Sequence, residues 1–192
     1  MKAKDIALPD FLNGTKQFMV PIFQRDYSWG LKNCQQLWND IVRVGRNPLS
    51  QGHFLGSVVY IAAVDTMAGM PRWLVIDGQQ RLTTVTLLLI ALRERLATVS
   101  PDEKLPSHEQ LDDNFLHNRY AKGEWRHRLI LRNADQKTLA ALLDGGEIPE
   151  SPSERLRENY EFFCEQLAAT DLANVGGVIK ARHFGGEREL ST

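Results

Sequence analysis

VIDGQQRLTTVTLLL (residues 75–89) opens on two β-branched residues, passes through an acid, a glycine, two amides and an arginine, and closes in a block of leucine. β-Branched residues favour a strand. The run after Asp77, with Leu87, Leu88, Leu89, Ile90, Leu92 and Leu96, is apolar nearly all round at first, as in a helix buried in the middle of a domain. A strand that ends at Asp77 and turns at Gly78 into such a helix leaves backbone N–H groups unpaired in the first helical turn. The helix dipole favours an anion at the same place, so the turn is a phosphate-sized site. Arg81 would offer a planar, permanently charged fork, Thr83 and Thr84 hydroxyl donors, and Gln79 and Gln80 both donors and acceptors. In the ligand-free alternative Asp77 caps the helix, Arg81 pairs with it and the amides lie in solvent. So many polar groups within seven residues favour a site.

HFLGSVVYIAA (residues 53–63) and RWLVID (residues 72–77) predict two paired strands joined as a hairpin across VDTMAGMP. QFMVPIF (residues 17–23) is a strand that Pro21 would keep at an edge or bulge. DFLNG is a short helical turn closed by Gly14, and Cys34, Leu37, Trp38, Ile41 and Val42 repeat at helical spacing up to a stop at Gly45. Beyond the PDEKLP loop, SHEQLDDNFLHNRY predicts a helix and RHRLILR (residues 126–132) a strand. Asn133 is the expected N-cap of a helix ending at Gly145. Ser151, Pro152 and Glu154 predict a capping box with proline at the first helical position, followed by the stripe Leu156, Tyr160, Phe163 and Leu167. The last segment carries two Gly-Gly pairs and no period.

The 192 residues, 43% hydrophobic, suffice for one good core. A formal net charge of -1 excludes a global cationic field, so any DNA contact needs a local patch. The longest apolar block, Val85 to Leu92, falls far short of the roughly 20 residues that cross a bilayer, and the N-terminus has no signal-peptide core. A soluble, cytoplasmic protein without membrane partners is expected. Cys34 and Cys164 are isolated and read as core residues. His53, His108, His117, His127 and His183 are scattered, so no metal site made by protein alone is expected.

A second unusual stretch, VPIFQRDYSWG (residues 20–30), sets Phe23, Tyr27 and Trp29 around Gln24, Arg25 and Asp26 outside any amphipathic period. Aromatics beside an amide and an arginine suit base stacking and base-edge contact. Alternatively the aromatics seal the core while Arg25 pairs with Asp26 or Asp40.

Together the stretches resemble the N-terminal domain family of GmrSD-type, modification-dependent restriction endonucleases. Its members share P-x-F/Y-Q-R-x-Y-x-W, h-F-L-G-S and D-G-Q-Q-R-x-T-T, present here as Pro21 to Trp29, His53 to Ser57 and Asp77 to Thr84. The likeness covers most of residues 5 to 170. It implies an α+β, ParB/sulfiredoxin-like fold: a small mixed sheet with a buried helix after the DGQQR turn, then a mostly helical C-terminal part. Residues 1–100 would be the nucleotide-binding core, residues 101–172 a mainly helical extension of the same domain, and residues 173–192 a disordered or truncated tail.

The resemblance further implies that Gly78-Gln79-Gln80-Arg81 is a Gly-x-x-Arg turn holding nucleotide phosphates, with Gln24 and Arg25 facing the same cleft. The cofactor would be a nucleoside triphosphate with Mg2+, bound or hydrolysed to license cutting of foreign DNA by a C-terminal HNH-type nuclease domain, separate or missing here. Asp77 is the only carboxylate in the motif and the one catalytic candidate, so binding carries more weight than hydrolysis. Two alternatives stand beside this nucleotide-binding sensor. One is a module reading modified DNA without nucleotide hydrolysis, through Tyr27, Trp29 and a strand face of Arg126, Arg128 and Arg132; the other is an inactive remnant.

Overall fold

The computed structural model describes residues 6–47, 56–67, 69–100, 105–172 and 182–183. The expected tail therefore lies outside the described residues, apart from a two-residue strand, and so do His53, Phe54 and Leu55.

The architecture is α+β, as the sequence predicts. The helices are α1 (Leu8–Leu12), α2 (Leu31–Arg46), α3 (Gln79–Ala97), α4 (His108–Leu111), α5 (Asn133–Asp144) and α6 (Glu154–Ala168). A four-stranded mixed sheet runs in the order β3 (Val59–Ala62), β4 (Arg72–Asp77), β2 (Gln17–Met19), β5 (Leu129–Ile130). A separate antiparallel pair joins β1 (Ile6–Ala7) to β6 (Arg182–His183). The predicted hairpin is present: β3 and β4 pair antiparallel, with an irregularity between Val59 and Tyr60.

β2 corrects the edge assignment. It lies inside the sheet, parallel to both β4 and β5. The strand ends at Met19, two residues before Pro21, so proline's missing donor never meets the ladder. β5 is also shorter than expected, because a 3-10 turn over Gly123–Arg126 consumes the start of RHRLILR. The helix predicted from Ser107 runs only to Leu111 and continues as a π turn over Asp112–Leu116.

Helix boundaries shift as well. Gly45 lies inside α2, which is capped by Asn47. Asn133 is the first residue of α5 rather than its cap, at φ +46, a left-handed value that asparagine tolerates better than most residues. α6 starts at Glu154 behind Ser153, whose N–H donates to Thr138 Oγ1 at 2.8 Å, so the Ser151 box does not form. Its stripe is otherwise as read, with Leu156, Phe163 and Leu167 buried.

α3 is the axis of the molecule. Leu87, Leu88 and Ile90 have no exposed surface, and the helix packs against α6, α4 and the π turn. Among the described residues no helix is long and apolar enough to cross a membrane.

Candidate functional site

β4 passes into α3 through Gly78, which sits at φ +89. A Cβ there would stand 2.7 Å from Ser57 O and 3.0 Å from Val58 Cα, so only glycine lets the turn close on the chain before β3. Arg81 crosses the same gap and donates to Ser57 O at 2.8 Å. Its guanidinium runs over Gly56, where a Cβ would collide with it. The glycine and serine of HFLGS thus receive the arginine of DGQQR. Asp77 stays exposed and accepts the Gly78 N–H at 2.8 Å rather than pairing with Arg81. No side chain caps α3.

The two amides are not in solvent, and they are turned toward protein. Gln80 Oε1 accepts the N–H groups of Ser28 at 2.8 Å and Trp29 at 3.1 Å, and its Nε2 donates to Asp26 O. Gln79 Nε2 donates to Arg25 O at 3.1 Å, and Gln79 Oε1 is buried without a partner among the described residues. Gln24 donates in return to Ile76 O at 2.8 Å. DGQQR therefore clasps FQRDYSW through backbone groups, which fixes a loop that has no regular structure of its own.

A directional chain of hydrogen bonds lies beneath the clasp. Asn159 Nδ2 donates to Tyr27 Oη at 2.8 Å and Thr84 donates its single hydroxyl hydrogen to Gln80 O at 2.8 Å. Tyr27 must then be the donor in its 2.7 Å contact with Thr84 Oγ1. The Tyr27 N–H donates to Asp135 Oδ2 at 2.7 Å. Burial, with the neighbouring Cys34 thiol adding to it, pushes the Tyr27 phenol well above its ordinary range. Burial pushes the Cys34 thiol up to about 11. Asn159 and Asp135 are parts of this site that the sequence did not single out. Their one signal is a polar residue on the inner face of an amphipathic helix, a pattern common in cores.

The expected site residues therefore divide. At the turn Asp77 is exposed and Arg81 half-buried, while Gly78 is buried against the chain before β3. Arg25 is exposed and lines a small cleft with Gln79, Thr83 and Arg132; of the two acids offered as its alternative partners, Asp40 pairs with Arg43 and Asp26 lies 3.9 Å from Arg132. The cleft holds about 10 Å³, room for one water. Thr83 and Thr84 are buried, and Thr84 is committed to the clasp.

The residues expected to meet DNA are rearranged more. Tyr27 is buried and Trp29 packs against the core, so the exposed apolar side chains of the loop are Ile22 and Phe23. Arg126, Arg128 and Arg132 do not form one strand face, because β5 is too short to impose alternation on them. Arg126 pairs with Asp144 at 3.0 Å. Arg128 is buried, donating to the carbonyls of Leu12, Gly14, Asp113 and His117. Arg132 donates to Gln24 O. Nor are the histidines all scattered: His117 and His127 face each other across an antiparallel bridge, ring centroids 5.4 Å apart. The nine residues between them, the last four in the 3-10 turn, carry no strand signal and hid that pairing.

A family model described as the N-terminal domain of the GmrSD restriction endonuclease matches residues 8–183 of the chain. No curated protein matches it.

Proposed function

The chain belongs to the GmrSD restriction endonuclease N-terminal domain family, a membership that places it in restriction of DNA, and from this premise we propose that it is a nucleotide-binding sensor domain. The nucleoside triphosphate would set its phosphates on the Gly78–Arg81 turn. The supporting observation is the uncapped first turn of α3, entered through a left-handed glycine and flanked by Arg81 and the exposed Arg25. The amides that follow Gly78, whose own N–H is held by Asp77, a favourable dipole and two guanidinium groups suit a phosphate anion. The arrangement would match the Gly-x-x-Arg turn that a ParB/sulfiredoxin-like fold implies.

The fit has a limit in size. A cleft of about 10 Å³ receives no base or ribose, so binding would require the FQRDYSW loop to move or the nucleotide to lie on the outer side of the turn. A bound triphosphate with Mg2+ would supply the charge that distinguishes two loop states. Asp77, exposed beside the turn, is the motif carboxylate available to the ion. Binding, not hydrolysis, is the proposed activity, with cutting assigned to a nuclease domain or subunit.

Arg81→Ala removes a charge-assisted contact worth about 1.5–3 kcal/mol, so nucleotide affinity should fall about tenfold or more. Isothermal titration of all four nucleoside triphosphates with magnesium measures it. Absence of heat and of thermal protection with every one of them rejects the reading.

One observation favours a second reading, DNA recognition without nucleotide. A hollow of about 390 Å³ lies beside Met67, Met70, Asn118 and the almost wholly exposed Tyr120, a size and lining suited to a planar ring. DNA binding that depends on Tyr120 but ignores nucleotide would support it.

A further inference from the structure

We infer that His117, His127 and Asp144 form a binding site for a divalent transition-metal ion of the zinc class. They are the one group of three such ligands among the described residues, with donor atoms all within 4.8 Å of one another. Asp144 ends α5, His117 follows the π turn and His127 follows the 3-10 turn, so three separate segments meet there.

Three features distinguish the group from an ordinary ion pair. First, His117 Nδ1 lies 2.8 Å from Asp112 Oδ2, and Asp112 is held in turn by Arg93 at 2.7 Å. In the neutral ring this carboxylate keeps the hydrogen on Nδ1 and turns the Nε2 lone pair inward, the arrangement that orients metal-bound histidines. Second, that Nε2 is buried without a hydrogen-bond partner, 3.4 Å from Asp144 Oδ1. A lone pair facing a carboxylate oxygen is repulsive, and either a proton on Nε2 or a metal ion between the two relieves it. Third, Asp144 Oδ2 faces His127 Nε2 at 3.0 Å, so one carboxylate bridges both rings.

Local charge agrees with a cation here. The site lies at the C-terminus of α5, where the helix dipole is negative. Arg126 now neutralises Asp144 at 3.0 Å from an exposed side chain that can swing away. Two imidazoles and one carboxylate suit zinc, with a fourth position toward Arg126 open to water. The ion would pin the His117–His127 segment to the end of α5, behind the edge strand of the sheet.

The test uses the whole chain, stripped with chelator and free of nucleotide, titrated with Co2+ and then Zn2+. Co2+ should give visible ligand-field absorption that Zn2+ abolishes, and Zn2+ should raise the melting temperature. Asp144→Asn, at a partly exposed position, should fold and weaken Co2+ binding at least about tenfold. His127→Gln should do the same. A stripped chain with neither absorption nor thermal shift overturns the site, and so does Co2+ affinity unchanged in both variants. Neither result bears on the nucleotide turn, which shares none of these residues.

Discussion

Gln80 shows how far a residue's type can be read and its direction cannot. An amide between a strand and a helix is legible as a hydrogen-bonding group at a site. Its partners were not, because Ser28, Trp29 and Asp26 lie about fifty residues away and meet it mainly through backbone, which has no signature in sequence. The same reason hid Arg128, whose four partners are carbonyls. Arg81 was foreseen at the turn, but the receiving carbonyl of Ser57 was not. Gln80→Ala would leave the part-buried Ser28 and Trp29 N–H groups without their acceptor and should cost about 1–3 kcal/mol, at about 0.5–1.5 for each hydrogen bond lost. Chemical denaturation measures it. A variant as stable as the parent would mean that the loop is held some other way.

At the scale of elements, the helices and the β3–β4 hairpin were legible from period and composition, since each buries an apolar face that repeats along the chain. The strand positions were less so. β2 and β5 have only three and two residues, too few for alternation to show, and they become strands because parallel neighbours complete their ladders. The β4–α3 junction depends on the backbone of a single residue. Gly78→Ala would force a Cβ into a left-handed turn and against Ser57 O, costing about 1–3 kcal/mol. It should also loosen β3 against α3, visible as faster amide exchange in both, whereas exchange limited to Gly78 itself would show that the close approach carries no structural consequence.

In the molecule as a whole, three motifs far apart in sequence converge on the first turns of α3, with α6 closing the network through Asn159. Its buried acids give a pH signature. Cys34, with an ordinary value of 9.0, is raised to about 11 by burial, and Tyr27 is raised above 10.0 for the same reason. Tyr160 follows, through burial and its hydrogen bond to Glu94. The unfolded chain releases these protons first as pH rises, so their contribution to stability is full below pH 9 and is lost above it, between 9 and 11 for the thiol. Denaturation midpoints should fall over that window, with Tyr27→Phe flattening the part above pH 10. A midpoint constant up to pH 11 would contradict the burial of both groups. The central claim, that the turn clasping the loop also receives phosphate, is tested most directly by amide chemical shifts during titration with each nucleoside triphosphate and Mg2+. The largest shifts are expected at the N–H groups of Gly78, Gln79, Gln80 and Arg81, with smaller ones through Arg25 to Trp29. Saturable binding of every active nucleotide that leaves those four amides unmoved would contradict that claim.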